Sequence, residues 1–509
     1  MSTGIAKKLS GLTPCSGVDI LSIVYYFTPG VNYMNTISEN LIRIEEVIAQ
    51  GPFAASWDSL EGYEVPAWYE DAKFGVFIHW GVYSVPGFGN EWYPRNMYTQ
   101  GSAEFEHHLK TYGPHNKFGY KDFIPMFKAE KWDPEQWAEL FERAGARFVM
   151  PVAEHHDGYA MYDCAFHDWT SVKTGPHRDI LGELSSALQK RGIEFTCSSH
   201  REEHWWFYDA GMNFDSDVRD EAYRSLYGPA RPEAERPNKE WLEEWLVYTC
   251  EIIDKYRPKV LWFDWWIKTP AYQPYLQKLA AYYYNRAAEW EIGVAINYKE
   301  NTFREGTAVF DIERGQLTGI RPMFWQTDTA IAKNSWGFTH GQDYKDAGSI
   351  IGDMADIVSK NGALLLNIGP RPDGTIPEEE QQVLLEIGKW LSLNGEAIYG
   401  SRPWKKFGEG PTQVVEGTFN DVKRSPFTCE DIRFTTKGDI LYAIIMDWPA
   451  SGKVIIMSLA KGQIASIGKV ELLGSPETLK WSWDDNDLTV YLGETRPSDY
   501  AVVLRVSPA

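Results

Sequence analysis

The chain has 509 residues, 43% of them hydrophobic and 15% aromatic, so it can build ordinary globular cores over one large domain and a smaller one. Its 50 Lys and Arg against 71 Asp and Glu leave a net charge of −21, which argues against a nucleic-acid partner and favours a neutral or cationic ligand over an anionic one. The 22 tryptophans are many for this length; most are core, but exposed rings among them suit the apolar C–H faces of sugars.

At the N-terminus "VDILSIVYYF" (18–27) is too short to span a bilayer, and no small-residue cleavage site clearly follows it. No signal peptide and no membrane contact are expected. The first 33 residues read as an ill-fitting leader before an amphipathic "MNTISENLIRIEEVIAQ", and Met34 is an alternative start. The five cysteines are far apart and form no CxxC pair or zinc pattern, so reduced thiols and a cytoplasmic location are the simplest reading.

From about residue 70 to 400, apolar runs alternate with helical patterns. "FGVFIHWG" (74–81) reads as a strand and "WDPEQWAELFERAG" (132–145) as a helix, with Asp133 as N-cap, Pro134 in the first turn and Gln136 three residues on. The strand "ARFVMPVAE" (146–154), the helix "DILGELSSALQKRG" (179–192), the strand "IEFTCSS" (193–199) and the helix "WLEEWLVYTCEIIDKY" (241–256) follow. "KVLWFDWW" (259–266) then reads as a strand buried on both faces, with Asp264 inside it. "IGVAINY" (292–298), "AVFDIE" (308–313), "MFWQTD" (323–328) and "GALLLNIG" (362–369) bring the strands to eight. This alternation points to an α/β fold, a (β/α)8-like TIM barrel with generous loops. A doubly wound open sheet is the runner-up, but no GxGxxG follows the first strand.

After about 405 only short alternating runs remain ("DILYAIIMDW", "KVIIMSLA", "LTVYLGE", "YAVVLRV"), as in an antiparallel β-sandwich. The domains are therefore placed at 1–55 (leader and helix), 56–404 (barrel) and 405–509 (C-terminal β-sandwich).

In a barrel, reactive side chains stand at the C-terminal ends of strands. Those ends carry His79 and Trp80, then Glu154, His155, His156 and Asp157, then Ser198, Ser199 and His200, then Asp264, then Asp311 and Glu313. Glycoside hydrolysis fits such a rim, because it needs a carboxylate nucleophile and a carboxyl acid/base, with histidines and tryptophans for hydroxyls and ring faces. Metal-dependent hydrolysis is the rival, but no HxH or HExxH is present, and His155 and His156 as strand neighbours would point to opposite faces. No metal and no cofactor are expected. A non-catalytic carbohydrate-binding barrel gives no reason to bury Asp264, since an ionised carboxylate is costly to bury unpaired.

"WYEDAKFGVFIHWGVYSVPGFGNEWYPRNMY" (68–98), "EHHDGYAMYDC" (154–164), "LWFDWW" (261–266) and "SKNGALLLNIGPRPDGTIPEEE" (359–380) together resemble the family 29 α-L-fucosidases, from about Trp57 to Trp404. The resemblance implies a retaining exo-hydrolase of fucosylated glycans with a barrel and a β-sandwich and no metal. It implies Asp264 as the nucleophile, His79, His155 and His156 as hydroxyl-binding, Glu91 and Trp92 as an acidic–aromatic substrate pair, and Trp262 against the ring. Trp336 and Phe338 resemble the aromatics near the methyl at C5. For the acid/base it offers Glu313, with Glu305 and Asp311 behind it. Two departures stand out. His200, in "SSHREEHW", takes the place of a tyrosine contact, and Lys299 stands where many members have an arginine. They leave the aglycone preference open, and with it a related L-sugar such as an α-L-galactoside. The loops around 205–240 either cover the site, reach a neighbouring subunit in a homo-oligomer, or are a surface insertion. The C-terminal domain either binds sugars or braces the barrel.

Overall fold

The computed structural model describes residues 36–509, so the leader lies outside the described residues. The eight expected staves form as β1 (Phe74–Ile78), β2 (Phe148–Glu154), β3 with β4 (Glu194–Phe195 and Cys197–Ser199), β5 (Val260–Phe263), β6 (Ala295–Tyr298), β7 (Val309–Glu313), β8 (Trp325–Ala330) and β9 (Gly362–Ile368). All pair in parallel in the order β1-β9-β8-β7-β6-β5-β4-β2-β3, and a β1–β2 pairing closes the ring. The third stave breaks at Thr196, whose N–H and hydroxyl both donate to the Val149 carbonyl, at 3.0 and 2.9 Å. With helices outside and side chains inside, most stave residues have no solvent side; every residue of β2 and β9 is buried.

The helices between staves start and stop for local reasons. Asp133 accepts hydrogen bonds from the N–H groups of Glu135 and Gln136, at 2.9 and 3.2 Å, and Pro134 occupies the first position of the helix Pro134–Arg143. The helix Lys239–Tyr256 is capped by Asn238 and ends at Arg257 in the left-handed region. The amphipathic stretch after Met34 is the helix Ile37–Gln50, capped by Thr36, which buries Ile44 and Ile48 against the helices Lys239–Tyr256 and Gln273–Trp290. Among the described residues no helix is long and apolar enough to cross a membrane.

Two antiparallel sheets follow the barrel. β10 (Arg402–Glu409), β11 (Ile432–Lys437), β12 (Ile440–Ile445), β17 (Val502–Ser507) and β14 (Lys469–Leu472) form one, and β13 (Lys453–Ile456), β16 (Leu488–Tyr491) and β15 (Lys480–Trp483) the other. Alternation along β12 divides its side chains between two cores. Leu441, Ala443 and Ile445 pack inside the sandwich, whereas Tyr442 and Ile444, with Met446 just beyond, belong to the barrel core. Val502 and Leu504 against Ala501 and Val503 repeat the pattern around β17. The five-stranded sheet is thus covered on both faces, by its sister sheet and by the outside of the barrel.

The connector between β10 and β11 does not stay with the sandwich. The N–H of Phe419 donates to the Glu313 carbonyl at 3.1 Å, and those of Asn420 and Asp421 donate to the Arg314 carbonyl at 2.8 and 3.0 Å. Approach is so close that a Cβ on Gly315 would collide with the Gly417 carbonyl. The segment therefore lies on the barrel rim directly after β7.

Candidate active site

A cavity of about 580 Å³ opens at the C-terminal ends of the staves, lined by His79, Glu91, Trp92, His155, His156, His200, Trp262, Asp264, Glu313 and Trp336. These ten residues, all named from the sequence, therefore meet in one place. Asp311, Asp328, Lys299, Trp265, Thr418 and Phe419 line it too.

Asp264 is not inside a strand. β5 ends at Phe263, and Asp264 caps a short turn, its Oδ1 accepting from the Trp265 N–H at 2.7 Å. The apolar run continues past the strand because Trp265 lines the cavity and Trp266 packs against Trp206; both are half-buried. The Asp264 N–H donates to Glu202 at 2.9 Å, and its Oδ2 accepts from His200 Nδ1 at 3.2 Å. Burial alone would raise the pKa of this carboxyl. The Lys299 ammonium and the His200 hydrogen bond outweigh burial and hold it well below the usual carboxylate range. The carboxylate among tryptophans is thus an ion at the strand end with its partners in place.

The histidines are ordered by what their other nitrogens do. His79 sits just past β1; its Nδ1–H donates to Asn367 Oδ1 at 2.7 Å, which leaves Nε2 as an acceptor. His156 Nδ1–H donates to the His200 carbonyl at 3.1 Å, with Nε2 3.7 Å from Asp264. Burial holds His79 and His155 well below the ordinary histidine value and takes His156 down to about 3, so all three are neutral. The rings of His155 and His156 lie 4.2 Å apart, centre to centre. The expectation that these neighbours face opposite ways fails because β2 ends at Glu154, and strand alternation does not extend into the turn beyond it.

Lys299 joins the carboxyl groups. Its Nζ lies 2.7 Å from Glu313, 3.6 Å from Asp328 and 3.9 Å from Asp264, and 4.5 Å from the centre of the Trp262 ring. The distances from Nζ to Glu313 and to Asp264, laid end to end, bound the gap between the nearest Glu313 and Asp264 oxygens. The bound includes the retaining separation of about 5–5.5 Å and reaches only the lowest edge of the inverting range of about 6.5–9.5 Å. Burial raises the Glu313 pKa and the Asp264 charge adds to it, against the pull of Lys299. Asp311 accepts from Trp262 Nε1 at 3.1 Å and from Gln326 at 2.9 Å, and burial pushes it up to about 6. Glu305 is exposed, pairs with Arg321 at 2.8 Å and does not line the cavity, so geometry removes it as a partner for Asp264.

Aromatic walls complete the site. Glu91 accepts from the Ser335 hydroxyl at 2.9 Å and the Trp336 N–H at 2.8 Å, fixing the loop that places Trp336 5.2 Å from the His79 ring. Phe338 is not in this wall; it lines a separate depression with His340 and Arg371, because the chain turns away after Gly337. Trp92 packs against His156 at 5.2 Å and against Trp206 of the 200–238 segment at 6.0 Å, so that segment covers one side of the site.

Sequence reasoning missed Asn367, which orients His79 and also donates to the Trp336 carbonyl at 2.7 Å, and Asp328 beside Lys299. It also missed the buried pair Glu202 and Glu203 behind Asp264, both held well above the usual carboxylate range by burial. "LNIG" and "REEHW" carry Asn367, Glu202 and Glu203 with nothing in their spacing to mark them, whereas Asp328 closes "MFWQTD" and its place at a strand end was the available signal. Two groups of possible metal ligands lie in the cavity, His79–His155–His200 and His156–His200–Asp264, each with its donor atoms within 4.8 Å of one another. The same convergence of ring nitrogens suits the hydroxyls of a sugar.

The chain matches the family model "Alpha-L-fucosidase" over residues 40–396 and "Alpha-L-fucosidase C-terminal domain" over 425–507. It is 32% identical over 459 residues to the tissue α-L-fucosidase of Homo sapiens, covering 88% of this chain and 90% of the relative. The α-L-fucosidase of Branchiostoma floridae is 30% identical over 463 residues, covering 87% of this chain and 91% of the relative. Among solved structures, the α-fucosidase of Thermotoga maritima superposes with a TM-score of 0.72 at 30% identity, covering 89% of this chain and all of that one. With a closed parallel barrel, a C-terminal β-sandwich and these matches along nearly its whole described length, the chain belongs to the family 29 α-L-fucosidases, a family of glycoside hydrolases.

Proposed function

We propose that the protein is a retaining, exo-acting α-L-fucosidase that forms a covalent fucosyl-enzyme on Asp264, with Glu313 as acid/base. The observation that carries this reading is the opposite displacement of two neighbouring carboxyl groups, Asp264 downward and Glu313 upward, around one lysine. A nucleophile must be ionised and a general acid protonated, and environments that push a pair apart assign the two roles.

In the first step an Asp264 oxygen attacks C1 while Glu313 gives its proton to the glycosidic oxygen; the C1–O bond breaks and the aglycone leaves as an alcohol. In the second, Glu313 takes a proton from water, whose oxygen attacks C1 and expels the Asp264 carboxylate, releasing fucose with its α configuration. His79, His155, His156 and His200 bind ring hydroxyls, Glu91 and Trp92 hold one side of the sugar, and Trp262 meets its face. Trp336 gives an apolar wall for the C5 methyl, which selects fucose over an α-L-galactoside. The Thermotoga maritima enzyme has been solved with fucose and with a mechanism-based inhibitor, which supports a covalent route.

The test is release of nitrophenol from an aryl α-L-fucoside by wild type and Asp264→Gly, with and without azide. The expected result is a dead variant that azide revives, yielding a fucosyl azide of β configuration. An Asp264→Gly protein that keeps most of its activity without azide would sink the assignment.

A further inference from the structure

We propose that Phe419, carried to the cavity mouth by the connector that leads into the sandwich, forms with Trp265 a binding site for the pyranose ring of the leaving group. This rests on the proposed function and names the part of the substrate beyond fucose.

Phe419 lines the same cavity as Asp264 and Glu313, yet it is 53% exposed, whereas the histidines at the closed end are 1–3% exposed. It belongs to none of the three hydrophobic clusters found among the described residues. Its φ is +54°, in the left-handed region that costs a bulky residue energy. A large apolar side chain, unpacked, exposed and on an unfavourable backbone, has no folding reason to be there. A lone exposed apolar residue is ordinarily unremarkable on a surface. Here the backbone is held with unusual care.

The Phe419 N–H is bonded to the carbonyl of Glu313 itself, and the next two N–H groups to Arg314. Asp421 then accepts from Lys345 Nζ and the Thr329 hydroxyl, both at 2.6 Å. The tip cannot drift from the acid/base without breaking these bonds. An acid that protonates the glycosidic oxygen has fucose on one side and the aglycone on the other. The buried histidines occupy the fucose side, so an exposed ring tethered to Glu313 stands on the aglycone side. Half-buried Trp265 and the Lys268–Glu300 ion pair, at 2.9 Å, line the same outer part of the cavity. Aromatic faces with a polar pair beside them suit a neutral pyranose, its C–H face on the ring and its hydroxyls on the charges.

The experiment compares kcat/KM on an α-L-fucosyl disaccharide with kcat/KM on α-L-fucosyl fluoride, whose leaving group cannot reach Phe419. Phe419→Ala is expected to lower the ratio of the two about three- to tenfold through the KM of the disaccharide, and Phe419→Trp to hold or raise it. A ratio equal to wild type in Phe419→Ala, whether both rates persist or both fall, overturns the inference and leaves the connector as a brace. A wild type inert on both substrates overturns the proposed function and this inference with it.

Discussion

The ammonium of Lys299 lies 2.7 Å from the carboxylate of Glu313, in the middle of the cavity floor. That one cation lowers the pKa of both Glu313 and Asp264. Removing it in Lys299→Met raises both. The acid limb of the kcat/KM profile, set by ionisation of Asp264, and the alkaline limb, set by protonation of Glu313, should both move to higher pH. The rate should fall about 100-fold, and unfolding should cost about 3–5 kcal/mol less because buried carboxyl groups lose their partner. Lys299→Arg keeps the cation and should keep the unshifted profile. A Lys299→Met profile that stays in place would remove Lys299 from the tuning of the pair.

Glu313→Gly should lose activity on alkyl fucosides far more than on dinitrophenyl fucoside, whose leaving group needs no proton. Azide should then yield a fucosyl azide of α configuration, the opposite product to that of the Asp264 variant. Glu305→Gln, at an exposed surface pair, should stay within about twofold of wild type. If Glu305→Gln is the variant with the azide signature, the acid/base is Glu305.

Asp311→Asn should keep measurable turnover, because the carboxyl accepts from Trp262 and Gln326 and steadies the ring without being one of the two reacting groups. Folding raises this pKa from 3.8 to about 6, so the native state favours the protonated form. Its stabilising effect is therefore complete below about pH 4 and is lost as pH rises through about 6. Asparagine cannot ionise, so the variant should gain on wild type between pH 4 and pH 8, by on the order of 2 kcal/mol. Denaturant melts at the two pH values check this; a constant difference between the proteins would contradict it.

Zinc should inhibit competitively with fucose, because His79, His155 and His200 already bring ring nitrogens within 4.8 Å of one another. Chelator should restore the rate, and His155→Phe should blunt the inhibition. Zinc inhibition that is non-competitive would place the ion elsewhere.

Gly315→Ala should push the connector off the rim, since the new methyl meets the fixed Gly417 carbonyl and not a flexible side chain. A loss of about 1–3 kcal/mol in stability is expected, with a larger loss of activity on a disaccharide than on fucosyl fluoride. Equal losses on both substrates would mean that the connector steadies Glu313 and does nothing for the aglycone.

Much of this was legible in the chain. Parallel staves buried on both faces leave apolar runs such as "ALLL" that need no alternation to be seen, and the Asp133–Pro134 start of a helix is a local signal. The site was legible because reactive groups stand at strand ends, and the motifs tied Asp264 to its role. What failed was anything decided by where a strand stops. Alternation carried through His155 and His156 overshoots β2, which ends at Glu154, and the run around Asp264 reads as a strand that in fact ends at Phe263. Phe338 was assigned to the wall of Trp336 by nearness in sequence, although the turn between them sends it to another depression. Asn367, Glu202 and Glu203 act by contacts across the barrel that no local pattern encodes. Phe419 lies in a stretch without periodicity, and only an aromatic residue amid "EGTFN" hinted at it.

β12 has no side facing water. Leu441, Ala443 and Ile445 answer to one core, and Tyr442 and Ile444 to the other. A strand shared in this way makes two folding units into one thermodynamic body. A calorimeter should record a single melting transition for the enzyme, and a polar substitution at Ile444, far from the sugar, should lower the temperature at which catalysis is lost as surely as one in the barrel.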